Sequence, residues 1–134
     1  MQEDRLSSHR LAIKVYLEDT DAQGIVYHAS YVRFFERGRS DFFEAVAPGT
    51  AGPDRASFRL VVHELRVKYR KPARLGDRLE VISSARLASP YRVTFTQRIE
   101  RAGELLCDGT VEVVCIDDAG GLRRIPAAVV ALLG

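Results

Sequence analysis

The chain has 134 residues, 46% hydrophobic and 28% charged, a globular composition long enough to bury roughly two thirds of its unfolded surface. Its 20 basic and 18 acidic residues leave a net charge of +2 with no long block of one sign, which argues against a dedicated nucleic-acid surface. The opening MQEDRLSSHR lacks the apolar core of a signal peptide and no apolar run reaches the ~20 residues of a membrane span, so one cytoplasmic domain over 1–134 is expected, with 1–9 a flexible lead-in.

The first predicted strand sets Leu11, Ile13, Val15 and Leu17 against Arg10, Lys14 and Glu18, the period-two pattern of a half-buried antiparallel strand. The acid-bearing loop EDTDAQG follows. The period then changes: Tyr31, Phe34, Phe35, Gly38 and Phe42 recur on one helical face, predicting a helix from about His28 to Val46. Gly38 inside it costs roughly 1 kcal/mol relative to alanine, a cost explained by close packing of the backbone on a sheet. The segment 47–58, rich in Gly, Pro and Ala, reads as a loop.

Four further alternating segments follow. Val61, Leu65, Val67 and Tyr69 form the apolar side of the second strand, and His63 falls on the same parity as a buried, hydrogen-bonded histidine. Leu79, Val81, Ala85 and Leu87 mark the third strand. Tyr91, Val93, Phe95 and Ile99 mark the fourth, and Leu105, Cys107, Val111, Val113 and Cys115 the fifth. Turn chemistry separates them at KPARLGD, ASP, RAGE and DDAGG. A short helix, PAAVVALL, ends the chain, its proline in the first turn.

The order β-α-β-β-β-β predicts an α+β domain with a five-stranded antiparallel sheet, one long helix on its apolar face and a short C-terminal helix. Its open edges argue for pairing with another copy. Cys107 and Cys115 share one strand, on the order of 26 Å apart at ~3.3 Å per residue, so both are expected to be reduced core residues and neither supports a metal.

Three chemistries begin with a string such as DTDAQG. A calcium loop accepts Asp19, Asp21 and Gly24, but Gln23 and Ser30 stand where it wants Asp or Asn and a bidentate glutamate. A phosphate-accepting D-x-D aspartate needs a larger α/β scaffold than these elements can build. Acyl transfer fits: a carboxylate just before a helix lies near unpaired backbone N–H groups that can hold a developing oxyanion. Asp21 is placed to supply the first, and the N–H groups around Tyr27 and His28 the second.

The run YLEDTDAQGIVYHASYVRFFERGRSDFF then resembles the opening of acyl-CoA thioesterases of the YbgC and 4-hydroxybenzoyl-CoA thioesterase type. VKYRKPARLGDRLEV and RRIPAAVVALL are similar to that family's next strand-turn-strand and tail, with Gly38 in place of its usual alanine. The resemblance implies the hotdog fold, a sheet wrapped around the long helix. It implies hydrolysis of an acyl-CoA, with Asp21 as nucleophile or general base and the His28 N–H polarising the carbonyl. It implies no metal or cofactor, coenzyme A arriving as part of the substrate. It also implies a homodimer or homotetramer with sites at the subunit interface, and allows an acyl carrier protein as partner. A binding protein without turnover and a hotdog dehydratase are the rival readings.

The site residues carry duller alternatives. Asp21 alone could cap the helix, and Asp19 serves the loop. Tyr27 and the His28 ring could close the acyl site or sit as surface groups. Tyr31, Phe34 and Phe35 are expected in the core, with lining of an acyl channel open to them. Lys68, Arg70, Lys71 and Arg74, and also Arg123 and Arg124, are either solvated charge or ligands for the phosphates of coenzyme A.

Overall fold

The computed structural model describes residues 8–46 and 59–133. The expected loop over 47–58 and residues 1–7 of the lead-in lie outside the described residues. Strands β1 (His9–Lys14), β2 (Arg59–Tyr69), β3 (Arg78–Ser89), β4 (Arg92–Arg101) and β5 (Glu104–Ile116) form one sheet in the order β1-β3-β4-β5-β2, every pair antiparallel. Helix α1 (His28–Val46) lies across β1, β3 and β4, and the short α2 (Ala127–Leu133) packs beside β3. This is the hotdog arrangement.

The core forms where α1 meets the sheet. Phe34, Phe35 and Phe42 on the helix bury against Val81, Phe95, Ile99 and Val111. Phe42 and Phe43 both meet Phe95 edge-on, at centroid distances of 5.7 and 5.5 Å. Cys107 and Cys115 are free, buried thiols, and burial pushes Cys107 up to about 12, so it stays protonated as a small apolar core group.

Two polar residues share this core. Ser83 and Gln97 stand at inward-facing positions on β3 and β4, both essentially inaccessible. Gln97 Nε2 donates to the Phe35 carbonyl and to Ser83 Oγ, each at 2.8 Å, and Gln97 Oε1 accepts from Arg39 at 3.1 Å. Gly38 lies directly above them: a Cβ there would stand 2.6 Å from Val81 Cγ1 and 2.8 Å from Ser83 Oγ. Close packing is therefore the reason for the glycine, as its place in the helical pattern predicts.

Two sequence expectations change. Leu17 leaves the first strand, which ends at Lys14; a 3-10 turn over Leu17–Asp19 follows and leaves Leu17 74% exposed. The chain turns there because the Asp19 carboxylate takes the Tyr16 N–H at 2.9 Å. His63 is not buried. A register shift between Val62 and Glu64 leaves it without a β5 partner, and its side chain is 55% exposed, 3.9 Å from Glu112. The extra residue in the strand breaks the period-two parity that placed His63 inside. β1 begins at His9, whose Nε2 bonds the Asp41 carboxylate on α1 at 2.5 Å.

Candidate active site

The loop between β1 and α1 folds back on itself. Asp21 Oδ1 accepts the Gln23 N–H at 2.8 Å, the Gly24 N–H returns to the Asp21 carbonyl at 3.0 Å, and the Asp21 N–H reaches the Ile25 carbonyl at 3.0 Å. Gly24 closes this turn with φ +80°, a left-handed conformation that residues with a Cβ adopt at a cost. One carboxylate oxygen of Asp21 thus holds the turn, and Oδ2 has no protein partner among the described residues. Asp19, 4% exposed, serves the loop through the Tyr16 amide.

The chain then enters α1. The Tyr27 N–H donates to the Asp19 carbonyl at 2.9 Å, and the Ser30 N–H to the Tyr27 carbonyl at 2.8 Å. Between them the His28 and Ala29 N–H groups have no acceptor among the described residues. Of the two amides expected as oxyanion donors, only that of His28 remains available, because Tyr27's is engaged; the neighbouring Ala29 amide is also without an acceptor, but Ala29 does not line the cleft described below.

The segment 70–77 lies against this loop. The Val26 N–H donates to the Ala73 carbonyl at 2.9 Å, Ile25 bridges Arg74, and the Tyr31 hydroxyl accepts the Ala73 N–H at 3.0 Å. A cleft of ≈ 400 Å³ opens between them, lined by Asp21, Gln23, Val26, His28, Tyr31 and Tyr69 with Arg70, Lys71 and Pro72 at its β2 end.

The structure therefore brings Asp21, His28, Tyr31 and Arg70 to one cleft. Tyr27 and Lys68 do not line it. Tyr27 is exposed, its ring 4.4 Å from that of His28, because its backbone is turned by the bond to Asp19. Lys68 alternates to the other face of β2, opposite Asp108. Arg70 and Lys71 arrive already paired, Arg70 with Asp108 at 2.8 Å and Lys71 with Glu104 at 2.7 Å. Phe34 and Phe35 are wholly buried under the helix and line no part of the cleft.

Tyr69 was legible only as an apolar position. Its hydroxyl donates to the His28 carbonyl at 2.8 Å, and its ring stands edge-on to Tyr31 at 5.3 Å and to His28 at 6.5 Å. Burial raises the hydroxyls of both Tyr31 and Tyr69 above the usual tyrosine value, which keeps them protonated.

The frame and the cleft on it define a class, the thioester hydrolases of hotdog fold. Residues 15–133 match the family model of the thioesterase-like superfamily. The chain is 40% identical over 126 residues to the acyl-CoA thioester hydrolase YbgC of Escherichia coli, covering 91% of this chain and 92% of that protein. The acyl-CoA thioesterase YbgC of Haemophilus influenzae is 35% identical over 106 residues, 78% of each chain. Among solved structures, a probable thioesterase from Bartonella henselae superposes with a TM-score of 0.79 at 30% identity, over 89% of this chain and 99% of that one. The chain belongs to the thioesterase-like superfamily, among its YbgC-type members.

Proposed function

We propose that the protein hydrolyses the thioester of an acyl-coenzyme A to a carboxylic acid and free coenzyme A, with Asp21 and the start of α1 as its machinery. One observation carries this reading: Asp21 and His28, whose N–H has no acceptor among the described residues, line the same cleft. The thioester carbonyl oxygen accepts a hydrogen bond from the His28 amide, which strengthens as negative charge grows on it. Asp21 then acts in one of two ways. Its Oδ2 attacks the carbonyl carbon, the C–S bond breaks, coenzyme A leaves as thiolate, and water cleaves the mixed anhydride. Alternatively it takes the proton of a water that attacks directly.

Arg70 and Lys71 stand at the β2 end of the cleft, where the phosphates of coenzyme A would find cations if Asp108 and Glu104 yield them; Lys68 lies on the other face of the strand. An acyl carrier protein presents the same thioester through the same pantetheine arm and is a candidate second substrate. The working form is a homodimer or homotetramer in the cytoplasm, and no metal or redox cofactor takes part.

The test is thiol release from short, long and aromatic acyl-CoAs by the wild type beside Asp21→Asn. The expected result is turnover that falls about 10²-fold or more in the variant, with folding and oligomeric state unchanged. Equal turnover in the two proteins removes Asp21 from the chemistry; binding without thiol release in the wild type makes the protein an acyl-CoA-binding module.

A further inference from the structure

We infer that Tyr69 is a positioning residue for the reaction, acting through the backbone of His28. This inference rests on the thioesterase reading of the cleft. Tyr69 stands at the end of β2, and its hydroxyl crosses to α1 to donate to the His28 carbonyl at 2.8 Å.

The N–H of the same residue has no acceptor among the described residues, and His28 lines the cleft together with Asp21. A donor on the His28 carbonyl anchors the backbone of that residue and so fixes the direction in which its N–H points. That N–H stands in the first turn of the helix, among the amides that no intrahelical carbonyl takes. A carbonyl in the first turn also accepts from the amide four residues on, so the Tyr69 bond adds a second donor to it. It fixes the angle at which the helix enters the cleft.

The surroundings fit a tether. The Tyr69 ring stands edge-on to Tyr31, and Tyr31 in turn holds the Ala73 amide, so the two hydroxyls tie the helix start to β2 and to the 70–77 segment. Burial raises the Tyr69 hydroxyl above its usual value, so it stays a donor throughout the neutral range. A tyrosine needed only for packing would keep its ring against Tyr31 and leave the hydroxyl to solvent, since the residue is half-exposed.

Tyr69→Phe removes the bond and keeps the ring. With an acyl-CoA that the wild type hydrolyses, kcat is expected to fall about 3- to 10-fold, the factor one neutral hydrogen bond carries, with KM within about twofold. A second measurement reads the carbonyl directly: the infrared stretch of a thioester bound to Asp21→Asn moves to lower frequency, and moves less in Asp21→Asn/Tyr69→Phe. Unchanged kcat, or a loss wholly in KM, overturns the inference, as does an identical carbonyl stretch in both proteins. No turnover by the wild type defeats the underlying reading instead, and the infrared comparison then decides the role of Tyr69 alone.

Discussion

Gly38 illustrates how one residue is chosen by what lies beneath it. Alanine would return about 1 kcal/mol of helix propensity. Its Cβ would also meet Val81 Cγ1 at 2.6 Å, Ser83 Oγ at 2.8 Å and Gln97 Nε2 at 3.0 Å, all on buried side chains. The helix must lift or Gln97 must let go of the Phe35 carbonyl, and a buried polar group left unmatched costs about 1–3 kcal/mol. Gly38→Ala is therefore expected to lower stability by about 1–3 kcal/mol net in urea melts. Gln97→Met with Gly38 kept leaves buried Ser83 Oγ and the Arg39 guanidinium without that partner, so a loss of similar size is expected.

At the scale of elements, the 70–77 segment joins the carboxylate loop to the sheet, and Arg101 on β4 holds it. Its guanidinium donates to Asp77 at 2.8 Å, Glu104 at 2.9 Å and the Pro72 carbonyl at 3.3 Å, while Lys71 closes on Glu104 from the cleft side. Hydrogen bonds from Lys71 and then Arg101 hold the Glu104 carboxyl below its usual range. The tie is complete at neutral pH and is lost as pH falls through that lowered value. Pairs this exposed contribute little to global stability, so the effect belongs to local order. Arg101→Met is expected to speed amide exchange at Val26 and Ala73 by about tenfold, with the melting temperature little moved. Unchanged protection at those amides would mean the Tyr31 bond to Ala73 suffices alone.

The whole molecule leaves one side of its sheet unfinished. β2 pairs with β5 on one side only, and it carries Val61, Val62, Leu65 and Tyr69, each between 38% and 51% exposed. α1 lies mainly across β1, β3 and β4 and meets β2 at Tyr69. An apolar edge strand of eleven residues is a pairing surface, and a second copy is the occupant the proposed dimer supplies. Leu65→Lys is expected to shift sedimentation toward the monomer and to weaken turnover with it, because Tyr69 ends the same strand. An unchanged sedimentation coefficient would place the contact elsewhere. Among the described residues no helix is long and apolar enough to cross a membrane.

Much was legible in the sequence. Period-two and helical patterning are local consequences of burying one face, so five strands, the long helix and its Phe34–Phe35–Phe42 stripe could be read directly. The D-x-D-x-x-G string likewise located the turn that carries Asp21, because glycine at a left-handed position is a local requirement. Other features depended on contacts between distant segments. A bulge reversed the parity of His63, the bond from Tyr27 to Asp19 left only the His28 amide of the expected pair available, and the strand's second face took Lys68 away from the cleft. Tyr69 looks like any apolar strand residue until the fold sets its hydroxyl 41 positions away on the His28 carbonyl. The sequence by itself determined which segments are helix and strand, since that needs only neighbours in the chain. Only the tertiary structure decided which polar atoms face each other, since that depends on how the helix crosses the sheet.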